Sequence, residues 1–523
     1  ANNPSSQAQK QLMEDIYKGS PYERDVIGLP EHLKNPRLSK LIEFYNTWYV
    51  PNNMALILVG DFDAEKAKPM IQETFSRLQA KELPTRPSYP EVSFAGNPSK
   101  HYNLGYNPQV AWIYQGVKKG DPDEEALDFV CALLYNGYVG LLDKLNTKGD
   151  VSASYAYSDS RRNTGRIVIQ AVPYYDANQQ MFESDKATKA IIMKELDKIK
   201  NGEIDDKLIE NVKRHYAQLY KVQDEEPDSK IQNLLYSFVY NKPIDDIFTE
   251  SERIQNLTKE EIVRVAKKYF DAPYMTISFD EDTKTPKAKT LPKPNIKPVE
   301  PSHEETPYAK AFKQLPKESI KQTFNDFNDV KVSSLGENVT LHYSTNTKND
   351  VFSLVLRYGV GAHEMPLLPY AAELMSDAGI MGNPAVEGKD FKVQMADLGA
   401  TVRYYCDDSY FTITVAGEDE NMNKIMNLVN RQLLMPYLEQ KQLDNLKGGE
   451  FFSRLSRQKR TAVQKSALMQ YALYGKKSAY LDEVKFIDIW NMDGVQVQRL
   501  IASARTYALD VFYCGTLPED KLV

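Results

Sequence analysis

The residues whose types and spacing could support chemistry lie in a short apolar segment, Tyr370-Ala371-Ala372-Glu373-Leu374. On a helix, positions three and four apart share one face, so Tyr370, Glu373 and Leu374 would point the same way. Histidines in place of Tyr370 and Leu374 would make this face a zinc site, in which Glu373 would activate a bound water molecule. Tyrosine is a poor zinc ligand at neutral pH and leucine is none. The segment therefore indicates either a metal site without its imidazole ligands or an ordinary buried helix with one glutamate.

The residues around this segment predict the elements that would position it. Apolar residues alternate over residues 351–356, which predicts a strand. Gly359 and Gly361 predict a turn, after which an apolar helix begins at about Leu367. A second carboxylate, Glu450, lies downstream. A strand, a glycine turn, a helix and a distant glutamate therefore follow one another along the chain.

This order resembles the pitrilysin and insulin-degrading-enzyme family of inverzincin zinc metallopeptidases, in which an H-x-x-E-H helix and a later glutamate bind zinc. The resemblance implies that Tyr370, Glu373, Leu374 and Glu450 are the positions of a degenerate metal site. Such a site would keep two carboxylates and lack both histidines.

The N-terminal part of the chain carries the most specific resemblance. Three stretches are similar to the end of the first domain of pitrilysin-type peptidases: SPYERDVIG at 20–28, FYNTWYVPNN at 44–53 and VGDFD at 59–63. The resemblance covers nearly the whole chain and is closer up to about residue 280 than after residue 330. It implies duplicated units of a little over 200 residues, paired into two bowl-shaped halves that close on a peptide.

A pattern of helix, turn and apolar strand recurs along the chain. The predicted helices begin near residues 38, 258 and 495, and their apolar residues have helical spacing. A continuous apolar strand is predicted after each, at residues 54–59, 274–279 and 508–514. The recurrence of so irregular a pattern predicts a duplicated architecture.

The front of the unit is found twice. A predicted strand at residues 109–116 precedes a helix at 124–135, as the strand at 351–359 precedes the helix at 367–375. Alternating runs follow both helices and predict strands with one buried side and one solvent-facing side. Each unit is therefore predicted to be α+β, an antiparallel-rich sheet backed by helices, in repeated domains of about 200 residues.

These units predict four regions. Residues 1–83 would be the C-terminal part of a first peptidase-like domain, residues 84–282 a second, non-catalytic domain, and residues 330–523 a third domain with the degenerate metal site. Residues 283–329 would be a Pro-rich linker, because the prolines between residues 283 and 308 disfavour helix and sheet. We interpret that stretch as an extended connector, and a basic signalling or partner motif is the alternative.

Composition restricts the classes of function. The 523 residues are too many for one core and predict two to four domains. With 42% hydrophobic and 26% charged residues, a mean hydropathy of −0.52 and no long apolar run, the chain is expected to be globular and not to cross a membrane. A net charge of −7 argues against nucleic-acid binding. Cys131, Cys406 and Cys514 are odd in number and lie in apolar surroundings, so core thiols are expected.

The sequence does not determine the cellular compartment of the protein. Residues 1–11 contain neither the charged nor the apolar segment of a secretion signal. A signal could precede the chain, so a bacterial protein of this kind could lie in the periplasm or the cytoplasm.

Other residues that could suggest a site are interpreted structurally. The glycine-rich residues 136–140 lack the Gly-Lys-Ser/Thr ending of a phosphate loop, which predicts a break between packed helices. His363 beside Glu364 predicts a solvated loop. Zinc binding by the chain's own histidines is not expected, because they form neither H-x-x-E-H nor H-E-x-x-H. The histidines are His32, His101, His215, His303, His342 and His363. A basic run predicts a solvated helical face, with an anionic partner as the alternative: Arg454, Arg457, Lys459 and Arg460.

The resemblance implies that the chain is the non-catalytic central portion of a zinc metalloendopeptidase that degrades peptides in a closed chamber. It implies a missing N-terminal half-domain that binds zinc and a missing fourth domain, while this chain alone binds no cofactor and is inactive. The partners would be peptide substrates and those missing parts, with neither nucleic acid nor membrane. Without its front half, the first unit is expected to expose apolar surface from Trp48 and Ile57.

Two further hypotheses stay open. The chain could be a zinc-free scaffold or peptide-binding protein of the same fold, because the resemblance implies that even active members carry degenerate copies of the motif helix. Alternatively, Glu373 and Glu450 could form a new carboxylate pair for acid–base chemistry on another substrate.

Overall fold

A computed structural model of the protein describes residues 4–28, 36–103, 108–223, 225–280, 304–316, 324, 327–457 and 461–522. The helices are α1 (Pro4–Ile16), α2 (Leu38–Trp48), α3 (Ala64–Phe75), α4 (Glu124–Leu134), α5 (Leu141–Lys148), α6 (Asp185–Lys200), α7 (Asp206–Gln223), α8 (Pro227–Tyr240), α9 (Ile244–Phe248), α10 (Glu250–Gln255), α11 (Lys259–Phe270), α12 (Pro307–Lys313), α13 (Leu368–Met375), α14 (Gly388–Asp397), α15 (Met422–Leu434), α16 (Gln440–Arg457), α17 (Thr461–Tyr474), α18 (Phe486–Trp490) and α19 (Gly494–Ala504). Within these described residues, no helix combines the length and apolarity that crossing a bilayer requires.

The strands are β1 (Ser99–Asn103), β2 (Gln109–Gly116), β3 (Ala153–Ser160), β4 (Gly165–Val172), β5 (Tyr175–Asp176), β6 (Met181–Phe182), β7 (Tyr274–Asp280), β8 (Lys331–Gly336), β9 (Val339–Thr345), β10 (Val351–Tyr358), β11 (Gly379–Ile380), β12 (Thr401–Cys406), β13 (Phe411–Glu418), β14 (Pro436–Tyr437) and β15 (Leu509–Gly515). Two large sheets have the strand orders β1-β7-β2-β4-β3 and β12-β13-β10-β15-β9-β8. The predicted α+β fold is confirmed. We call the first sheet with helices α4 to α11 the second unit, and the second sheet with helices α13 to α19 the third unit.

The two sheets place equivalent strands in equivalent positions. β7 lies between β1, to which it is parallel, and β2, to which it is antiparallel. β15 lies in the same way between β9, which is parallel, and β10, which is antiparallel. The strands predicted near residues 274–279 and 508–514 are therefore confirmed, and the repeat has a counterpart in the topology.

Each sheet buries one face under its helices. In the second unit, Trp112 and Ile169 of the sheet share a buried cluster with Leu127 of α4. In the third unit, Phe352 of the sheet shares a buried cluster with Leu368 of α13. Burial of one such side chain contributes about 1.5–3 kcal/mol, so apolar packing holds the helices on the sheets.

Helix α1 covers the opposite face of the second unit's sheet. Its residues Ala8, Leu12 and Ile16 are buried together with Ile113 and Ile277 of that sheet. Although α1 falls within the predicted first region, its packing therefore links it to the second unit.

The first copy of the repeated pattern differs from the other two. Helix α2 forms as expected, but the strand predicted at residues 54–59 is wrong, because no described strand pairs with this segment and an extended segment becomes a strand only through its partners. Trp48 and Ile57 are half-buried, and Arg86 lies over the Trp48 ring at 5.0 Å from its centre. Their neighbours Phe44 and Leu56 are exposed. The expected apolar surface is thus present on residues beside those that were named.

The predicted extended connector lies largely outside the described residues. Its last two residues, Pro307 and Tyr308, begin helix α12, so the prediction of extended chain is wrong there. The Thr306 side chain accepts a hydrogen bond from the backbone N–H of Ala309, and proline is tolerated at the first helical position. A favourable start signal thus outweighs the Pro-rich composition.

The second and third units contact each other through their long helices α7 and α16. From α16, Nε2 of Gln442 donates hydrogen bonds to the carbonyl oxygens of Thr147 (2.5 Å) and Asp377 (2.8 Å). Nδ2 of Asn445 donates to the carbonyl oxygen of Gly149 (3.2 Å). Thr147 and Gly149 lie at the end of α5, where helical carbonyls lack partners of their own. Side chains of helix α16 therefore supply hydrogen-bond donors to the free carbonyl oxygens at the end of a helix in the other unit.

Helix α7 makes the reciprocal contact. Nη1 of Arg214 donates to the carbonyl oxygen of Asp397 (2.8 Å), and Nε2 of Gln218 donates to that of Gly399 (2.8 Å). Nδ2 of Asn211 donates to Oδ1 of Asp397 (2.9 Å). Asp397 and Gly399 lie at the end of α14 in the third unit. Each unit thus contributes one long helix that caps a helix end of its neighbour.

We expect Gln442→Leu to lower the free energy of unfolding by about 2–3 kcal/mol, because the buried carbonyl oxygens of Thr147 and Asp377 lose their donor. Urea denaturation measures this loss. Gln223→Leu, at an exposed position at the end of α7, is the matched control, for which we expect a change within about 0.5 kcal/mol. Equal effects of the two substitutions would contradict the assigned role of Gln442.

Candidate functional site

The predicted motif segment forms helix α13, but its side chains do not share one environment. Tyr370 is half-buried, Glu373 is exposed and Leu374 is 5% exposed, within the core of the third unit. Positions 373 and 374 are about 100° apart around a helix, so one faces the recess beside α13 while the other packs inward. The expected common face is thus divided between a polar recess and the core.

Glu450 lies on α16, in the recess beside α13, and two guanidinium groups bind it. Nε of Arg454 is 2.5 Å from its Oε1, and Nη2 of Arg457 is 3.2 Å from the same atom. Nη1 of Arg457 also lies 2.7 Å from Oε1 of Glu483. The Glu450 side chain is 14% exposed, so the arginines neutralise a largely buried charge. Arg454 also interacts with the hydroxyl group of Tyr370.

The prediction of a solvated basic face is therefore wrong for Arg454 and Arg457, whose side chains are only 22% and 28% exposed. Lys459 and Arg460 lie outside the described residues. Sequence reasoning missed that these arginines serve Glu450, although the i, i+4 spacing of Glu450 and Arg454 was a signal for such a pair.

The residues of this recess do not fit zinc. Burial and the negative charge of Glu450 raise the pKa of Tyr370 above its ordinary value, which keeps its hydroxyl protonated. Leu374 offers no donor atom, and Glu450 is bound by guanidinium groups. Among the described residues, no cluster of three or more His, Cys, Asp or Glu side chains could hold a metal ion.

Glu373 and Glu450 lie close enough to interact electrostatically, which bears on the hypothesis of a carboxylate pair. Although the Glu373 side chain remains accessible to solvent, the protein around the recess displaces part of the water near its carboxyl group and raises its pKa above the ordinary value; the charges of Asp377 and Glu450 add to this effect. Because Arg454 and Arg457 both bind Glu450, the two carboxylates stand in unlike surroundings. Glu373 is the one that no guanidinium neutralises in the contacts described for this recess.

The second unit has a recess in the comparable place, between α4, α7, α10 and the edge strand β3. Its cavity of about 280 Å³ has carboxylates from two helices, Glu125 and Asp128 of α4 and Glu250 of α10, and tyrosines on its walls. We call it the tyrosine–carboxylate recess. Sequence reasoning missed it because Glu250 lies far from α4 along the chain.

The other sequence-based interpretations have mixed outcomes. The helix break at residues 136–140 is confirmed, with Asp143 accepting hydrogen bonds from the backbone N–H groups of Asn136 and Gly140 (both 2.9 Å). His363 and Glu364 are exposed in a loop, as predicted.

The cysteines differ from one another. Cys131 and Cys406 are buried, and the prediction of core thiols is confirmed for both. Cys514 is exposed, so the same prediction is wrong there, because this position on β15 points away from the helices.

Comparison with known proteins identifies relatives. Residues 37–216 match the family model described as "Peptidase M16 inactive domain". The chain is 23% identical over 282 residues to the zinc protease PqqE of Helicobacter pylori, in an alignment that covers 53% of this chain and 62% of that protein. It is 40% identical over 58 residues, 11% of this chain and 6% of that protein, to the probable zinc protease PqqL of Escherichia coli.

Among solved structures, a mutant of the ferredoxin protease FusC in complex with Arabidopsis ferredoxin is similar, with a TM-score of 0.50 and 14% sequence identity. The match covers 99% of this chain and 60% of that chain. At this identity the likeness shows the fold alone. The chain spans less than two thirds of the length of both PqqE and FusC.

We expect Glu373→Gln to raise the free energy of unfolding at neutral pH, because a carboxylate whose pKa is raised in the folded state is charged at a cost there. Below the ordinary pKa of 4.5 the carboxyl group is mostly neutral in both the folded and the unfolded state, so the gain in the free energy of unfolding should disappear at low pH without becoming a loss. Denaturant unfolding at pH 7 and pH 4 measures the difference. A gain of the same size at both values, or a loss at pH 7, would contradict the assigned surroundings.

Proposed function

Because the chain belongs to the pitrilysin-type family of zinc peptidases, we propose that it is the non-catalytic central portion of a metalloendopeptidase that degrades peptides in a closed chamber. The observation that carries this proposal is the recess beside α13. There Leu374 is part of the core, and Arg454 and Arg457 bind Glu450, so the donor set that zinc requires is not formed. In this proposal zinc is bound by a catalytic half-domain outside the chain.

The first copy of the repeat supports a role for a further segment. In the other copies, the equivalent strands β7 and β15 each lie between a parallel and an antiparallel partner. Residues 54–59 are apolar and have no described strand beside them, and Met54, Leu56 and Leu58 are exposed. Two strands from the catalytic half-domain would complete this sheet and cover these side chains. A fourth domain would complete the second half of the chamber.

The second and third units would then form the chamber wall and a surface on which peptides dock. Within the described residues, β3 pairs only with β4 and β12 pairs only with β13, so each leaves one edge of its sheet open. An extended peptide can add to such an edge through its backbone hydrogen bonds. The reciprocal contacts of α7 and α16 would keep the two edges in a fixed relation.

A zinc-free scaffold or peptide-binding protein of the same fold is the second candidate. The description of the family model that matches residues 37–216, "Peptidase M16 inactive domain", favours it. The two candidates differ in whether the product of the whole coding region binds zinc.

Peptide cleavage separates the two candidates. For the 523-residue chain alone, we expect no hydrolysis of a quenched fluorogenic peptide, with or without added zinc. For the product of the whole coding region, we expect one bound zinc per molecule and cleavage that a chelator abolishes. Glu373→Gln in that product is the control and should leave cleavage unchanged, because α13 does not take part in the chemistry.

A product of the whole coding region that contains no zinc and cleaves nothing would favour the scaffold. Chelator-sensitive cleavage by the 523-residue chain alone, abolished by Glu373→Gln, would overturn the proposal altogether.

A further inference from the structure

The long helices α7 and α16 occupy equivalent places in the two units. Both contain 18 residues, and both carry Lys, a branched apolar residue, Asn, a second branched apolar residue and Lys at the same spacing, over residues 207–213 and 441–447. Each packs on the helix that follows the central strand and caps a helix of the other unit. In this alignment Tyr216 corresponds to Glu450 and Tyr220 corresponds to Arg454.

The same recess is therefore filled differently in the two units. In the third unit, the guanidinium groups of Arg454 and Arg457 occupy it and bind Glu450. In the second unit, Tyr216 and Tyr220 stand at the positions of Glu450 and Arg454, and the tyrosine–carboxylate recess keeps a cavity of about 280 Å³. The chain itself thus shows that a recess of this construction accepts a guanidinium group, and one of the two has room for a ligand.

The charges around the open recess are only partly balanced. Arg253 binds Glu125 through two hydrogen bonds (2.7 and 2.8 Å). Lys119 and Lys242 pair with Glu124, which is not among the residues that line the cavity. The charge of Lys119 also acts on Asp128, and the charges of both lysines act on Glu250. These three cations are therefore engaged by carboxylates at the border of the recess.

Asp128 and Glu250 have no ion-pair partner among the residues that the structure describes; Asp128 interacts with the hydroxyl group of Ser158, and Glu250 with that of Tyr220. Burial raises the pKa of Asp128 to about 7 and raises that of Glu250 above its ordinary value. Both carboxylates would be stabilised in their charged form by a cation in the cavity.

The walls of the cavity suit a planar cation. Tyr135, Tyr157 and Tyr216 line it, and tyrosine rings attract cations through their faces. A guanidinium group combines a flat surface for such rings with several N–H donors for carboxylates. An ammonium group would satisfy the charge but not the fork of donors.

We propose that the tyrosine–carboxylate recess binds the guanidinium group of an arginine side chain, with Asp128 and Glu250 as acceptors and the tyrosine rings as walls. That the arginine belongs to a docked polypeptide rests on the proposed function. The binding site itself does not.

Titration of the 523-residue chain with N-acetyl-arginine amide, followed by NMR, tests the site directly. N-acetyl-citrulline amide has nearly the same shape without the charge, and we expect it to bind at least about tenfold more weakly. Asp128→Asn and Glu250→Gln should each weaken arginine binding about tenfold. Glu252→Gln is the matched control, because it removes a charge from the same helix α10 at an exposed position, and it should leave binding unchanged.

A substitution that fills the recess with a side chain of the protein itself distinguishes loss of binding from loss of folding. Tyr220→Arg places a guanidinium group at the position equivalent to Arg454, and we expect it to abolish binding of the arginine amide while thermal unfolding stays cooperative. Equal binding of the arginine and citrulline amides, no binding at all, or binding that Asp128→Asn and Glu250→Gln leave intact would each overturn the proposal. Cleavage by the product of the whole coding region is measured separately, so failure of arginine binding and failure of the proposed function remain distinguishable.

Discussion

A carboxylate that is largely withdrawn from water has to be neutralised, and the group that neutralises Glu450 decides what the third unit can do. In a zinc site of the kind that the motif spacing suggests, a metal ion and two imidazoles would surround such a glutamate. Here Arg454 and Arg457 take that place at 2.5 and 3.2 Å. Once the guanidinium groups are paired with Glu450, the helix α13 can use position 374 for packing, and Leu374 joins the core. The charge of Glu450 is thus balanced within the unit by two guanidinium groups.

The two units can be compared position by position, because helices α7 and α16 are equivalent. Helices α7 and α16 keep the residues that pack inward and that reach the other unit, such as Asn211 and Asn445, while the residues that face the recess differ. Several contacts between the units come from amide and guanidinium side chains that donate hydrogen bonds to helix-end carbonyl oxygens, and a substitution there would leave a carbonyl oxygen without a donor. The residues that line the recess do not have to satisfy helix-end carbonyl oxygens. One architecture can therefore carry a guanidinium pair in one unit and an open cavity with carboxylates in the other.

The sequence predicted the fold where local pattern and tertiary pairing agree. The segments of strands β7 and β15 are mostly apolar in the sequence, and each strand pairs with two neighbouring strands, so the prediction of these two strands is confirmed. Residues 54–59 have the same apolar pattern but no described partner, and a pattern alone cannot supply interstrand hydrogen bonds. The recess of the second unit could not be predicted, because Asp128 and Glu250 come together only through the packing of α4 and α10. In the third unit, the spacing located Tyr370, Glu373 and Glu450, and the i, i+4 spacing of Glu450 and Arg454 was a signal for their ion pair. Nothing in the spacing indicated that Arg457 also turns toward Glu450.

Zinc content of the 523-residue chain tests the central claim most directly. After dialysis against buffered zinc at neutral pH and removal of free metal, we expect metal analysis to find far less than one equivalent bound, for the wild-type chain and equally for Glu373→Gln and Glu450→Gln. One equivalent of tightly bound zinc in the wild-type chain, lost in both of these variants, would show that the recess beside α13 is a working metal site and would contradict the account.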